Sequence, residues 1–176
     1  PVTATIQQPD GGWVVETPKG NIYTKWVVNA AGLWGREVAR LAGLELPLQP
    51  TEHQYFVTET IAEIAEMDRR LPSVADRDGE YYLRQEGRGL LVGAYERDVR
   101  FWAENETPSG FGHELFEDDL ERIEENMMRA IDRVPAVGKA GIKRVINGPM
   151  IWSPDSNVLF GPAPELKNYF CCNGII

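Results

Sequence analysis

The chain has 176 residues, 43% of them hydrophobic and 26% charged, a balance that supports one folded domain or a large domain fragment with its own core. Its net charge of -9 offers no basic patch to displace the counterions of DNA or RNA and no cationic surface for anionic lipid, so nucleic acid and membrane surfaces are excluded as expected partners. No apolar run is long enough to span a bilayer, and the opening Pro1-Val2-Thr3 has neither the charged start nor the long apolar stretch of a signal peptide.

In chain order, Val2 to Ile6 alternates as a strand, Gly11-Gly12 gives a turn, and Trp13 to Glu16 forms a second strand. Lys19-Gly20-Asn21 turns into Ile22 to Thr24. The continuous run Trp26-Val27-Val28-Asn29-Ala30 reads as a buried parallel strand. Ala31-Gly32 breaks it, and a helix follows from Trp34 to Ala42 with Gly43 past its end. Strand, small-residue turn and helix in that order make the corner of a nucleotide-binding α/β layer.

The pattern changes at Pro47 and Pro50. Thr51 to Thr58 alternates as a strand with His53, Tyr55 and Val57 on one face. A short helix is expected at 61–70, then a hairpin of Tyr81 to Gln85 and Leu90 to Tyr95 around Glu86-Gly87-Arg88-Gly89. Residues 97–113 form a long loop of the kind that often serves as a lid. The clearest helix runs from Leu115 to Val134. Its apolar stripe is Phe116, Leu120, Ile123, Met127, Ile131 and Val134, with acidic residues at the start and Pro135 as the stop. Strands at 142–146, 150–152 and 169–172 complete the reading. The two cysteines, Cys171 and Cys172, are adjacent, which suits small apolar strand residues in a reducing compartment better than a disulfide framework. Two distant histidines make no metal cluster. The fold class is α+β: a mainly antiparallel sheet with flanking helices, plus part of an α/β layer. Both ends read as cut, so an internal piece of a longer protein is expected.

Several segments in order resemble the FAD-dependent oxidoreductases of the D-amino-acid oxidase type, nearest their dimethylglycine dehydrogenase and sarcosine dehydrogenase branch. They are Val27 to Trp34, Glu52-His53-Gln54-Tyr55-Phe56-Val57-Thr58, Tyr82-Leu83-Arg84-Gln85, Gly110-Phe111-Gly112, Asn147-Gly148-Pro149, Ser153-Pro154-Asp155 and Phe160-Gly161-Pro162. The resemblance implies three regions: a partial FAD-binding portion at 1–46, a substrate-binding antiparallel-sheet domain at 47–146, and the start of a return to the FAD domain at 147–176. The glycine-rich dinucleotide fingerprint is not in this sequence. The expectation is therefore FAD in the longer parent, with weak or no FAD binding by this chain alone.

The resemblance implies catalytic roles for His53 and Tyr82 and substrate-binding roles for Tyr55 and Arg84. Ala30, Ala31, Gly32, Trp34 and Asp155 are implied on the cofactor. The chemistry is coherent: an amine must lose its proton before it can be oxidised, and a histidine can accept it near neutral pH. A tyrosine can hydrogen-bond the amine or carboxylate, and an arginine can hold a carboxylate through paired donors. Read from the residues alone, His53 is equally a strand histidine bonded within a core, Tyr82 an amphipathic strand residue, Arg84 a structural ion pair, and Ala30-Ala31-Gly32 a plain tight turn. Trp34 is then a packing residue. The parent is expected to oxidise a secondary or tertiary amine, an N-methylated amino acid, to an imine. An electron-transfer protein and a folate domain are its expected partners, in the cytoplasm of a bacterium or the mitochondrial matrix of a eukaryote. The alternatives are an oxidase that uses oxygen and a non-catalytic module that keeps the fold as a binding or assembly surface.

Overall fold

The computed structural model describes residues 1–175 and is an α+β fold that divides into two compact units. One unit comprises Pro1–Thr51, Phe101–Gly112 and the stretch from Met150 onward; the other comprises Glu52–Arg100 and His113–Pro149.

In the first unit, β1 (Ala4–Gln7), β2 (Trp13–Glu16) and β3 (Ile22–Thr24) form an antiparallel meander. A second sheet has the order β10-β11-β4, from β10 (Leu159–Pro162), β11 (Tyr169–Asn173) and β4 (Val27–Asn29). The pairing of β11 with β4 is parallel, as the continuous apolar run predicts. A 3-10 turn, Gly32–Trp34, leads into α1 (Gly35–Arg40), shorter than the expected Trp34–Ala42 because Trp34 belongs to that turn and the Ala42 and Gly43 N–H groups donate to Ala39 O and Arg40 O in tighter turns; Gly43 at φ +76 follows as expected. Trp13, Ala39, Leu44, Ala163, Tyr169 and Cys171 form the core of this unit, with Trp13 and Tyr169 ring centroids 5.4 Å apart. Cys171 is buried on β11, where burial pushes its thiol pKa up.

The second unit is built on the sheet β6-β7-β8-β5-β9. Its strands are β5 (Gln49–Thr58), β6 (Val74–Asp76), β7 (Tyr81–Glu86), β8 (Gly89–Ala94) and β9 (Ile142–Trp152); the unit boundaries fall inside β5 and β9. The β7–β8 hairpin turns at Gly87, whose φ of +59 only glycine adopts cheaply. One face of the sheet, with Phe56, Tyr81, Leu83, Leu90, Val92 and Ala94, packs against Ile123 and Ala130 of the helical segment. Each large apolar side chain buried there contributes about 1.5–3 kcal/mol.

Two expected helices are shorter than their apolar spacing suggests. Only Ala62–Ala65 (α2) forms from the 61–70 segment, because the Gln85 side chain takes the Leu71 N–H at 2.9 Å and Pro72 follows. The long helix begins as a 3-10 turn at Glu121–Ile123 and continues as α3 (Glu124–Arg133), not from Leu115. Buried amides hold the preceding residues out of the helix. Asn147 Nδ2 donates to Glu117 O at 2.8 Å, Gln54 Nε2 donates to Asp119 O, and Phe116 N–H donates to Asn147 O at 2.9 Å. Pro135 ends the helix as expected, and α4 (Ala136–Lys139) follows. The two strands expected around Asn147-Gly148-Pro149 are one, β9, an edge strand, where proline is tolerated.

Candidate functional site

The solvent-facing side of the second unit's sheet is set by strand alternation. The register Tyr55↔Gly93↔Tyr82 puts these three residues in one row across β5, β8 and β7. His53 and Arg84 lie on the same face, two residues along their strands from Tyr55 and Tyr82, while Tyr81 is turned into the core at 1% exposure. Of the residues expected at the substrate, His53, Tyr82, Tyr55 and Arg84 thus share one face.

His53 is 8% exposed and bonded at both ring nitrogens. Nε2 lies 3.3 Å from the Tyr82 hydroxyl, and Nδ1 lies 3.2 Å from Glu96 Oε2. The rings of His53 and Tyr82 are nearly parallel, with centroids 6.2 Å apart, and Tyr95 closes a three-ring cluster at 5.3 Å from Tyr82. Burial, with the nearby Tyr95, Tyr55 and Glu96, pushes the Tyr82 pKa up to about 12, so its phenol stays protonated and available as a donor. Arg84 is half-buried, and one guanidinium nitrogen holds Glu86 Oε2 at 2.9 Å.

Behind this face lies a buried polar set that sequence reasoning missed. Glu96 is 6% exposed and accepts the Gln54 N–H at 3.3 Å. The Arg122 side chain is 2% exposed and pairs with Glu52 at 3.0 Å and with Glu96 at 3.8 Å. Asn147, 1% exposed, meets both Arg122 and Glu52. These residues are spread from position 52 to position 147, and only the folded sheet brings them together; Glu52, Gln54 and Asn147 stand in the segments that carry the resemblance, whereas Glu96 and Arg122 do not.

In the first unit, the turn after β4 carries the expected cofactor residues. Asn29 organises it: Oδ1 accepts the Ala31 N–H at 3.2 Å and Nδ2 donates to Gly35 O at 2.7 Å. Ala30 and Gly32 are exposed, Gly32 has φ +56, and a methyl added there would meet no atom within 4 Å. An open turn of small residues fits the close approach of a flat nucleotide to the backbone. Trp34 Nε1 donates to Pro108 O at 3.1 Å, so its indole is tied to its own unit. Asp155 is exposed and caps a turn. It accepts from Ser153 Oγ at 3.0 Å and from Asn157 N–H at 3.1 Å, and the Asn157 bonds lower its pKa. Among the described residues, no group of His, Cys, Asp and Glu could hold a metal.

Residues 1–175 match the family described as FAD dependent oxidoreductase. The chain belongs to that family. FAD dependence is the family's property, and the open turn at Ala30-Ala31-Gly32 suits it. The chain is 47% identical over 179 aligned positions to the mitochondrial dimethylglycine dehydrogenase of Homo sapiens, covering 99% of this chain and 21% of that protein. It is 44% identical to the mitochondrial sarcosine dehydrogenase of Homo sapiens, over 89% of this chain and 16% of that protein. The chain therefore spans about a fifth of the length of the curated relatives it matches. Among solved structures, L-proline dehydrogenase from P. horikoshii superposes with a TM-score of 0.70 at 25% identity, covering 99% of this chain and 43% of that one. Among the described residues, no helix is long and apolar enough to cross a membrane.

Proposed function

We propose that this chain carries the amine-handling face of an FAD-dependent dehydrogenase that oxidises an N-methylated amino acid, dimethylglycine or sarcosine, to an imine. The observation that carries the reading is the His53–Tyr82 pair, set on one sheet face with Tyr55, Tyr95 and Arg84.

The substrate amine is protonated in water and must lose that proton before its nitrogen lone pair can assist C–H cleavage. His53 Nε2, buried on this sheet face, accepts the proton once the Tyr82 hydroxyl turns from it. Tyr82, held as a neutral phenol, keeps Nε2 aligned by donating to it and can turn to the substrate nitrogen or carboxylate. The tyrosine rings favour a methylated cationic nitrogen through their faces. Arg84 is placed to steady a carboxylate with the guanidinium edge that Glu86 does not hold. FAD, when bound, would supply the acceptor for the hydride equivalent that leaves the carbon beside nitrogen.

The sequence relatives named as dimethylglycine and sarcosine dehydrogenases support this substrate class, and their mitochondrial names support a mitochondrial matrix location in a eukaryote, with the cytoplasm as the bacterial counterpart. An electron-transfer protein and a folate-binding part belong to the same proposal. The absence of the dinucleotide fingerprint from this sequence supports weak or no FAD binding by the chain alone, and hence no activity in isolation.

The test is an anaerobic titration of the full-length flavoprotein with dimethylglycine and sarcosine, following the visible flavin band beside a His53→Ala variant. Both amines should bleach the flavin, and the variant should slow bleaching about 10²–10⁴-fold. Flavin that stays oxidised with both amines overturns the substrate class.

A further inference from the structure

We infer that Glu96 is the positioning residue of the His53–Tyr82 pair, fixing the imidazole as the Nδ1–H tautomer, with Arg122 held back by Glu52 so that Glu96 is not neutralised. The inference rests on the reading of His53 as the proton acceptor.

For a neutral imidazole beside an ionised Glu96, the two contacts are satisfied by one arrangement of hydrogens. A carboxylate only accepts, so the 3.2 Å contact from Glu96 Oε2 needs a hydrogen on Nδ1. A neutral imidazole then has its lone pair on Nε2, where the protonated Tyr82 phenol donates to it across 3.3 Å. Donors thus run in one direction, from Tyr82 through His53 to Glu96. Nδ1 is spoken for by Glu96, and the Nε2 lone pair, which the Tyr82 hydroxyl holds until it turns to the substrate, is the ring site that takes a proton. Without the carboxylate the two tautomers compete, and one of them turns an N–H toward the amine, where it cannot accept a proton.

Glu96 itself is held firmly. Its Oε1 accepts the Gln54 N–H, and it sits between two residues tied to Glu80: Tyr95 N–H donates to Glu80 O, and Arg97 Nε donates to the Glu80 carboxylate at 2.8 Å. The charges in the buried set point the same way. Arg122 stands 3.0 Å from Glu52 but 3.8 Å from Glu96, so its stronger pairing is with Glu52. One arginine against two glutamates leaves one negative charge, and a proton arriving on His53 Nε2 balances it. The positive imidazolium is then formed next to Glu96, in a site largely closed to water, where that attraction is strong. During the transfer the N–H bond of the ammonium breaks, the Nε2–H bond forms, and the hydrogen on Nδ1 stays on the ring.

The test uses the full-length flavoprotein labelled with 15N-histidine, the His53 signals being assigned by their loss in His53→Ala. In the parent, Nδ1 should carry the hydrogen and Nε2 should not. In Glu96→Gln, which keeps the shape and removes the charge, that tautomer should lose its dominance. Glu96→Gln should also reduce flavin with dimethylglycine about 10²-fold more slowly. Its Kd for methoxyacetate, which lacks the amine, should change less than about threefold, since uniform binding does not pass through His53. A bare Nδ1 in the parent overturns the inference without reference to any variant, and so does Glu96→Gln with the parent tautomer and rate. If the flavin ignores both amines while the tautomer is locked in the parent and released in Glu96→Gln, the positioning role stands and the substrate class fails.

Discussion

Tyr82 reaches His53 because the residue opposite it on β8 has no side chain. Tyr82 pairs with Gly93 across the sheet, and its ring lies directly over that backbone; a methyl added to Gly93 would overlap Cζ and the hydroxyl oxygen. The backbone of Gly93 is not left-handed, so this glycine is needed for space, not for conformation. Tyr55 also pairs with Gly93, which leaves a trough in the row where the phenol can lie flat. Gly93→Ala should therefore push the Tyr82 ring aside and lengthen its contact with His53. Overpacking of this kind costs about 1–3 kcal/mol. We expect a lower melting temperature and slower flavin reduction in the full-length protein. A Gly93→Ala protein that melts and reduces like the parent would show that the ring has room elsewhere.

Among the elements, the segment expected as a lid has a different character. Sequence length and its Pro and Gly content mark residues 97–113 as a loop, and they are one. The part from Phe101 to Gly112, however, is bolted within its own unit. Arg36 on α1 is 4% exposed and donates to the backbone oxygens of Leu48, Ala103 and Glu104. Glu37 accepts the Thr107 N–H at 2.8 Å, Arg40 donates to Asn105 O at 2.9 Å, and Thr107 Oγ1 donates to Leu33 O. Breaking a buried charged cluster by removing one partner costs about 3–5 kcal/mol. Arg36→Ala should thus release residues 103–107, read as faster limited proteolysis there, whereas Arg36→Lys keeps the charge, loses the fork and should fall between. Cleavage unchanged in both variants would show that Trp34 and Thr107 suffice to hold the loop.

Period-two alternation grouped His53 with Tyr55 on β5 and Tyr82 with Arg84 on β7, because alternation is local and direct, while the register of both strands on β8 is what puts the two pairs on one face. The helix start was not legible. The stripe through Phe116 and Leu120 is genuine, but Gln54 and Asn147, both far away in sequence, take the backbone groups that the first turns of that helix would use. Short β6 and β10 escaped for a related reason, since three or four residues without strong alternation become strands only by pairing with β7 and β11. Glu96 and Arg122 escaped because a residue that acts behind a strand leaves no period in its own segment.

For the whole molecule, the consequence lies in the faces of the sheet β10-β11-β4. Pairing makes Phe160 the partner of Cys172 and Phe170 the partner of Val28, so these four share one side, while Tyr169, Cys171 and Asn29 share the other. The second side belongs to the core of its unit. On the first, Phe160 is 78% exposed and Val28 is 63% exposed. A parallel pair in an α/β layer is normally covered on both faces, whereas here two exposed apolar residues flank the half-buried Phe170 and Cys172 on one sheet face. The 176-residue chain produced alone should therefore bind a dye such as ANS and associate at rising concentration, even with its two cores intact. Val28→Thr together with Phe160→Thr should lower both signals while leaving the circular dichroism unchanged, because threonine retains the strand preference and neither side chain is in the core. If the double variant binds as much dye as the parent chain, the apolar surface lies elsewhere and this face is already covered. If it loses its secondary structure, Val28 and Phe160 contribute to folding, and the exposed row has to be counted with the core.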